Sequence, residues 1–196
     1  LKELSKIGVK ALIVNCLYAH SEKKTPSEQV AREMVRDTLI NTEDSKSGLV
    51  VTTFASHIAR LKSIVDFGQK LDRKIVFVGR SLAKYVSAGE VINQVPFKKN
   101  IIMATYKKQV EKFLKQANED RSKYLIVCTG HQGEKGSILD RMARDQLPYK
   151  IKEGDHIIFS SKTIPAPETI ASRSDLQNRL KKFNPVIFDN LHVSGH

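Results

Sequence analysis

Residues able to hold a phosphate recur in this chain at one kind of place, just after short apolar runs. Residues 49–53 are followed by Phe54, Ala55, Ser56 and His57, and Lys74–Val78 by Gly79, Arg80 and Ser81. Tyr124–Cys128 leads into Thr129, Gly130, His131, Gln132, Gly133 and Glu134, and residues 157–159 lead into Ser160, Ser161, Lys162 and Thr163. Val186–Phe188 is followed by Asp189, Asn190, Leu191, His192, Val193, Ser194, Gly195 and His196. Glycine lets the backbone approach an anion closely, hydroxyls donate to its oxygens, and a helix start adds unpaired N–H groups. Arg80 and Lys162 supply charge, with arginine able to bind bidentately. Each stretch alone is weak: Ser56 before a helix is more often a cap than a ligand, and Gly130 to Gly133 would serve equally as a plain loop. Five on one edge of one sheet favour an anion groove.

The histidines divide by surroundings. His131, between Gly130 and Gly133, is placed to reach such a groove, and His57 follows Ser56. His192 and His196 flank a Val-Ser-Gly turn, where a histidine could bind phosphate or act as a general acid. His156 opens an apolar run and reads as structural or surface, while His20 lies in a polar loop. No HxHxDH or HExxH cluster occurs, so a complete zinc site cannot be built from this chain. Cys16 and Cys128 make no CxxC pair and read as buried free thiols. Tyr18 and Tyr106 could stack on bases, though core or surface packing is the favoured reading of each.

The elements that must position these residues are short strands alternating with helices. The apolar runs are residues 9–14, 49–53, 157–159, Lys74–Val78, Tyr124–Cys128 and Val186–Phe188. Between them apolar residues recur at helical spacing: Ile58, Leu61 and Val65; Val110, Phe113, Leu114 and Ala117; Ile170, Leu176, Leu180 and Phe183. Thr25-Pro26-Ser27-Glu28 has the look of a helix start, and residues 86–103 read as one longer excursion. Near-continuous apolar strands interleaved with helices predict an α/β fold, a doubly wound parallel sheet with helices on both faces. In such a sheet ligands sit beyond the carboxyl ends of the strands.

Charge agrees with an anionic partner. Lys and Arg number 33 against 21 Asp and Glu, a net +12, and a surplus of that size raises the local concentration of polyanions. A hydrophobic share of 40% is enough for a packed core and argues against disorder. No apolar run is long enough to span a membrane, so no membrane partner is expected. No P-loop or early GxGxxG supports a nucleotide-binding alternative. The first residue is Leu1 rather than Met, which hints at a piece of a longer chain.

Four motifs occur in order: Val51-Thr52-Thr53-Phe54-Ala55-Ser56, Val78-Gly79-Arg80-Ser81, Cys128-Thr129-Gly130-His131-Gln132-Gly133-Glu134, and His192-Val193-Ser194-Gly195-His196. This series resembles the ribonuclease J family, whose members carry a β-CASP domain inserted in a metallo-β-lactamase fold, and it covers nearly the whole chain. It is closer to the archaeal and bacterial branch than to the eukaryotic mRNA 3′-end nucleases. The resemblance implies that residues 1–22 end a segment of the β-lactamase domain, 23–188 form the β-CASP domain, and 189–196 return to the first. It implies a cytoplasmic, zinc-dependent ribonuclease in RNA processing, with two zinc ions per active site in the full-length enzyme and none held by this piece, which alone would be inactive. The implied partners are single-stranded RNA with a 5′ monophosphate and the rest of the β-lactamase domain; a homodimer of the full-length protein is also admitted.

The resemblance also assigns roles. Ser56 would contact a phosphate, Thr129 to Glu134 would line the RNA channel, and Ser160 or Ser161 would help hold the 5′ phosphate beside Ser194 and Gly195. His196 would steady the scissile phosphate or assist protonation, and Glu28 would orient a nearby histidine or metal ligand. The implied activity is 5′ to 3′ exonucleolytic, with endonucleolytic cleavage as a second mode; the alternatives are a non-catalytic RNA-binding member and an endonuclease of the 3′-end-processing type. One departure stands out. Asn15 occupies the position of the family's bridging aspartate, and a neutral amide bridges two zinc ions poorly. The metal site is weakened, or was inactivated by substitution, or holds its metals differently.

Overall fold

A computed structural model of the chain describes residues 2–13, 27–40, 46–189 and Leu191. The strands are β1 (Leu49–Thr52), β2 (Lys74–Val78), β3 (Ile101–Ala104), β4 (Tyr124–Cys128), β5 (His156–Phe159) and β6 (Val186–Phe188). They form one sheet in the order β3-β2-β4-β1-β5-β6, every pair parallel. The helices are α1 (Leu4–Ile7), α2 (Glu28–Ile40), α3 (Ile58–Lys70), α4 (Arg80–Val91), α5 (Lys107–Glu119), α6 (Ile138–Ala143) and α7 (Pro167–Lys181). None of them is long and apolar enough to cross a membrane.

Strand side chains alternate between two cores. Val50, Val76, Ile126 and Ile157 pack with Val110 and Leu114 of α5, Leu139 and Met142 of α6, and Leu176 and Leu180 of α7. Val51, Phe77, Val127 and Ile158 pack on the other face with Val35 and Leu39 of α2, Leu61 and Ile64 of α3, and Leu82 of α4. This is the doubly wound α/β arrangement expected from the sequence. The crossings β1 to β2 and β2 to β3 run one way along the sheet with α3 and α4 on one face. Those from β3 through β6 run the other way with α5, α6 and α7 on the opposite face. A single crossover hand requires that reversal. It leaves β1 and β4 side by side, with chains leaving to opposite faces, the kind of switch point at which α/β sheets bind ligands.

Two expectations need correction. Residues 9–13, the described part of the first apolar run, form no strand, and Leu12 and Ile13 stand 76% and 97% exposed. An apolar run becomes a strand only where another takes up its N–H and C=O groups, and none of the described residues does so. The excursion at residues 86–103 is also shorter than read: α4 continues to Val91 and β3 begins at Ile101. As an edge strand β3 is only four residues long and half buried, so its apolar signal is weak.

The edge where strands begin is closed by bonded charges. Asp155 accepts from Gly48 N at 2.9 Å, Arg121 Nη1 at 2.5 Å, Tyr149 Oη at 3.3 Å and Lys152 N at 2.9 Å. Arg73 Nη1 donates to the carbonyls of Ser47, Arg121 and Tyr124.

Candidate nucleic-acid interface

The opposite edge, where the strands end, gathers most of the described candidate residues. A parallel sheet does this by construction, because every strand delivers its following loop to the same side. In spatial order the loops bring Thr105, then Gly79 to Ser81, Thr129 to Glu134, Thr53 to His57, Ser160 to Lys162, and Asp189. The expected site residues Asn15, His192, Ser194, Gly195 and His196 lie outside the described residues, as do Cys16, Tyr18 and His20.

The half beyond β1, β5 and β6 is knitted shut by Arg60, which sequence reading missed. Its side chain is fully buried. Nε and Nη2 donate to the two carboxylate oxygens of Glu28 at 2.7 and 2.9 Å, while Nη1 donates to Ser160 O, Ser160 Oγ and Leu191 O at 2.8–2.9 Å. A guanidinium's planar fork suits this bidentate contact. Ser160 is therefore an engaged, wholly buried hydroxyl. Ser161 is equally buried, yet its Oγ has no hydrogen-bond partner among the described residues. His57 caps α3, its Nδ1 accepting from Arg60 N at 3.2 Å, and its Nε2 stands 3.5 Å from Glu28 Oε2. Because His57 takes the cap, Ser56 is an exposed serine with no side-chain partner among the described residues.

The loop between the halves is braced rather than open. His131 is 3% exposed and meets the Phe54 ring edge-on at 4.0 Å, so its side chain does not extend into the groove as its neighbouring glycines suggested. Gln132 spends both ends of its amide on the neighbouring loop, Nε2 donating to Lys162 O at 2.8 Å and Oε1 accepting from Ile164 N at 2.9 Å. Its backbone N–H meets Glu134 Oε2 at 2.9 Å. Gly133 has φ +81, and a Cβ there would lie 2.2 Å from the carbonyl oxygen of Ser172, so only glycine fits against α7. Arg173, a second missed residue, donates to His131 O and, at 2.7 Å, to Asp189 Oδ1, and lies 3.4 Å over the Phe159 ring. Burial pushes its pKa down to about 10 against the pull of Asp189 and Glu134, leaving it charged at neutral pH.

Beyond β2, β3 and β4 the edge opens into a cavity of about 530 Å³. Arg80 and Ser81 enter from the start of α4, Thr105, Tyr106 and Lys107 from the start of α5, Thr129 and Ser137 from the turn leading into α6, and Arg141 from α6 itself. Arg80 and Arg141 have no side-chain partner among the described residues, and neither do the Ser81 and Thr129 hydroxyls. Tyr106 is 72% exposed at the mouth. Unpaired N–H groups and the positive ends of two long helices reinforce the arginines. Gly79, at φ +119, lets β2 turn directly into α4. The turn into α6 is braced by Asp140, which accepts from Gly136 N at 2.9 Å and from Arg144 and Arg179. Burial alone would raise its pKa, but these donors overcome that and hold it below the usual carboxylate range. Cys128, at the end of β4, is inert, its thiol pushed up to about 12 by burial.

Among the described residues no three His, Cys, Asp or Glu side chains converge as a metal would require. Glu28 and His57 do not fit one either, since Arg60 occupies both carboxylate oxygens and its N–H occupies His57 Nδ1. These side chains leave donors free on one half of the edge and fix the loops of the other half.

Comparison with known proteins gives this edge a context. The model of the ribonuclease J β-CASP domain matches residues 46–175. A ribonuclease J of Pyrococcus abyssi (strain GE5 / Orsay) is 41% identical over 196 residues, covering 100% of this chain and 43% of the relative. A ribonuclease J of Methanocaldococcus jannaschii is 39% identical over 197 residues, covering 100% of the chain and 44% of the relative. One from Helicobacter pylori (strain J99 / ATCC 700824) is 34% identical over 198 residues, covering 96% and 26%. The chain thus spans less than half the length of each of these relatives.

Proposed function

The chain belongs to the ribonuclease J family, with its β-CASP domain matched over residues 46–175, and we propose that it is the RNA-binding portion of a zinc-dependent ribonuclease acting on single-stranded RNA. The observation that carries this reading is the pair of unpartnered arginines, Arg80 and Arg141, among free hydroxyls at the carboxyl edge of the sheet. Such a site attracts phosphates without reading bases, so binding has little sequence preference and weakens steeply with salt. Zinc, when bound by residues outside those described, would supply the activated water for phosphodiester hydrolysis.

In this reading the sealed half of the edge receives the 5′ monophosphate, which favours 5′ to 3′ exonucleolytic action in the cytoplasm. Ser56 is exposed and free to donate, and the buried, unsatisfied Ser161 hydroxyl is one a phosphate oxygen would complete once the 160–162 loop opens to it. Arg60 positions Glu28 and the Ser160 loop without touching the ligand. In this reading the chain alone is inactive, its catalysis depending on the rest of the full-length protein. Zinc-dependent RNA hydrolysis by the purified chain would overturn that.

The test is fluorescence anisotropy with short single-stranded RNA ending in a 5′ monophosphate or a 5′ hydroxyl. Tighter binding of the monophosphate, lost on Ser56→Ala or Ser161→Ala, supports end sensing. Equal binding of both ends removes it and leaves an end-independent RNA binder. Asn15 favours that second, non-catalytic reading; robust hydrolysis by the full-length protein with Asn15 in place would rule it out.

A further inference from the structure

The strand-end cavity does not stop at the sheet edge. It shares Glu111 and Leu147 with a groove of about 650 Å³ between α5 and the 145–150 loop. Lys108, Lys112 and Lys115 line the groove from α5, with Lys150 opposite. The three α5 lysines recur at i, i+4 and i+7, one stripe of the helix, while Val110, Leu114 and Ala117 bury a different face. Lys108 and Lys115 have no ion-pair partner among the described residues, and Lys112 leans 5.4 Å over the Phe113 ring. The acids present are largely occupied: Glu111 lies 3.9 Å from Lys107, and Asp145 pairs with Lys150 at 2.7 Å. Three unneutralised cations in a row cost self-repulsion unless a polyanion covers them.

We propose that this groove is a second binding surface for the sugar-phosphate backbone of single-stranded RNA, carrying the strand away from the sheet edge over α5; this rests on the reading of the edge as an RNA site. The lysines rise along the helix by about 4.5–6 Å from one to the next, a step comparable with the phosphate repeat of an extended strand. Continuity with the Arg80 and Arg141 cavity gives that strand an unbroken path. Lysine acts here as a point charge on a flexible stem, so the groove adds affinity without sequence or end preference.

The experiment compares 5′-monophosphorylated RNAs of about six and about twenty-four nucleotides, by anisotropy across a salt series, with the wild-type chain and the K108Q/K112Q/K115Q variant, its fold checked by circular dichroism. The long RNA is expected to bind the variant roughly tenfold more weakly, with its log–log salt slope reduced by about two, as the loss of three phosphate contacts requires. The short RNA is expected to bind both proteins within about twofold. An unchanged slope for the long RNA, or an equal loss for both lengths, overturns the groove while leaving the edge site standing. Competition by polyaspartate as strong as by RNA of equal charge overturns RNA as its occupant. Failure of wild type to bind either RNA overturns the edge reading and the groove together.

Discussion

The two halves of the strand-end edge share one origin and differ in how their arginines are used. Beyond β1 and β5, Arg60 is wholly buried and spends its guanidinium on Glu28, Ser160 and Leu191. Beyond β2 and β4, Arg80 and Arg141 line an open cavity and bond to nothing among the described residues. A guanidinium with its donors used is a strut. One with its donors free, backed by helix starts, is a receptor for anions. The parallel sheet therefore delivers the same residue types to one side, and local partners decide which hold the protein and which are left for a ligand.

The largest expected effect breaks the strut. Arg60→Ala leaves Glu28, two buried acceptors of Ser160 and the half-buried Leu191 carbonyl without their donor, and urea denaturation should show a loss of about 3–5 kcal/mol. A loss below about 1 kcal/mol would mean that this half is not held by Arg60 at all.

Next comes the brace of the turn into α6. Asp140→Asn should cost about 2 kcal/mol at pH 7, because charge-assisted bonds to Gly136 N, Arg144 and Arg179 are weakened. The sign with pH is definite. The folded pKa is depressed, so the contribution is fully present above the unfolded value of about 4. It is lost as pH falls through the lower folded value. Stability curves of wild type and variant should therefore converge in acid; parallel curves would show that the carboxylate charge contributes nothing.

Arg80→Gln with Arg141→Gln should reverse the pattern seen at Arg60. Stability should stay within about 0.5 kcal/mol while affinity for single-stranded RNA drops about tenfold or more. A large stability loss would erase the distinction between the halves. The smallest effect sharpens it: Ser161→Ala should be neutral or slightly stabilising, since its hydroxyl is buried without a partner among the described residues. A clear destabilisation in chemical denaturation would place Ser161 among the struts.

The strong strands were legible because β1, β4 and β5 are buried along their whole length and read as continuous apolar runs. With them came the edge and the residues that follow each strand. Arg60 was not legible, because a lone arginine inside an amphipathic helix looks like a surface residue until the fold brings Glu28 and Ser160 to it. Arg141 was hidden likewise, in a six-residue helix too short to signal itself. His131 and Gln132 carried the right types for a groove, yet their side chains turn inward to Phe54, Lys162 and Ile164. Sequence places a residue in a loop; whether its side chain faces out depends on neighbours distant along the chain.

The Arg60 clamp also bears on the order of assembly. Its bonds reach 32 positions back to Glu28 and 100 and 131 positions forward to Ser160 and Leu191. Contacts at such separations return free energy only after the intervening chain has been ordered, since the entropy of closing those loops must first be overcome. The sealed half of the edge is thus among the last parts of the molecule to exist. A chain emerging from synthesis has no such half until residue 191 is available, so a partly folded or truncated copy presents cationic strand ends without the framework that Arg60 ties together.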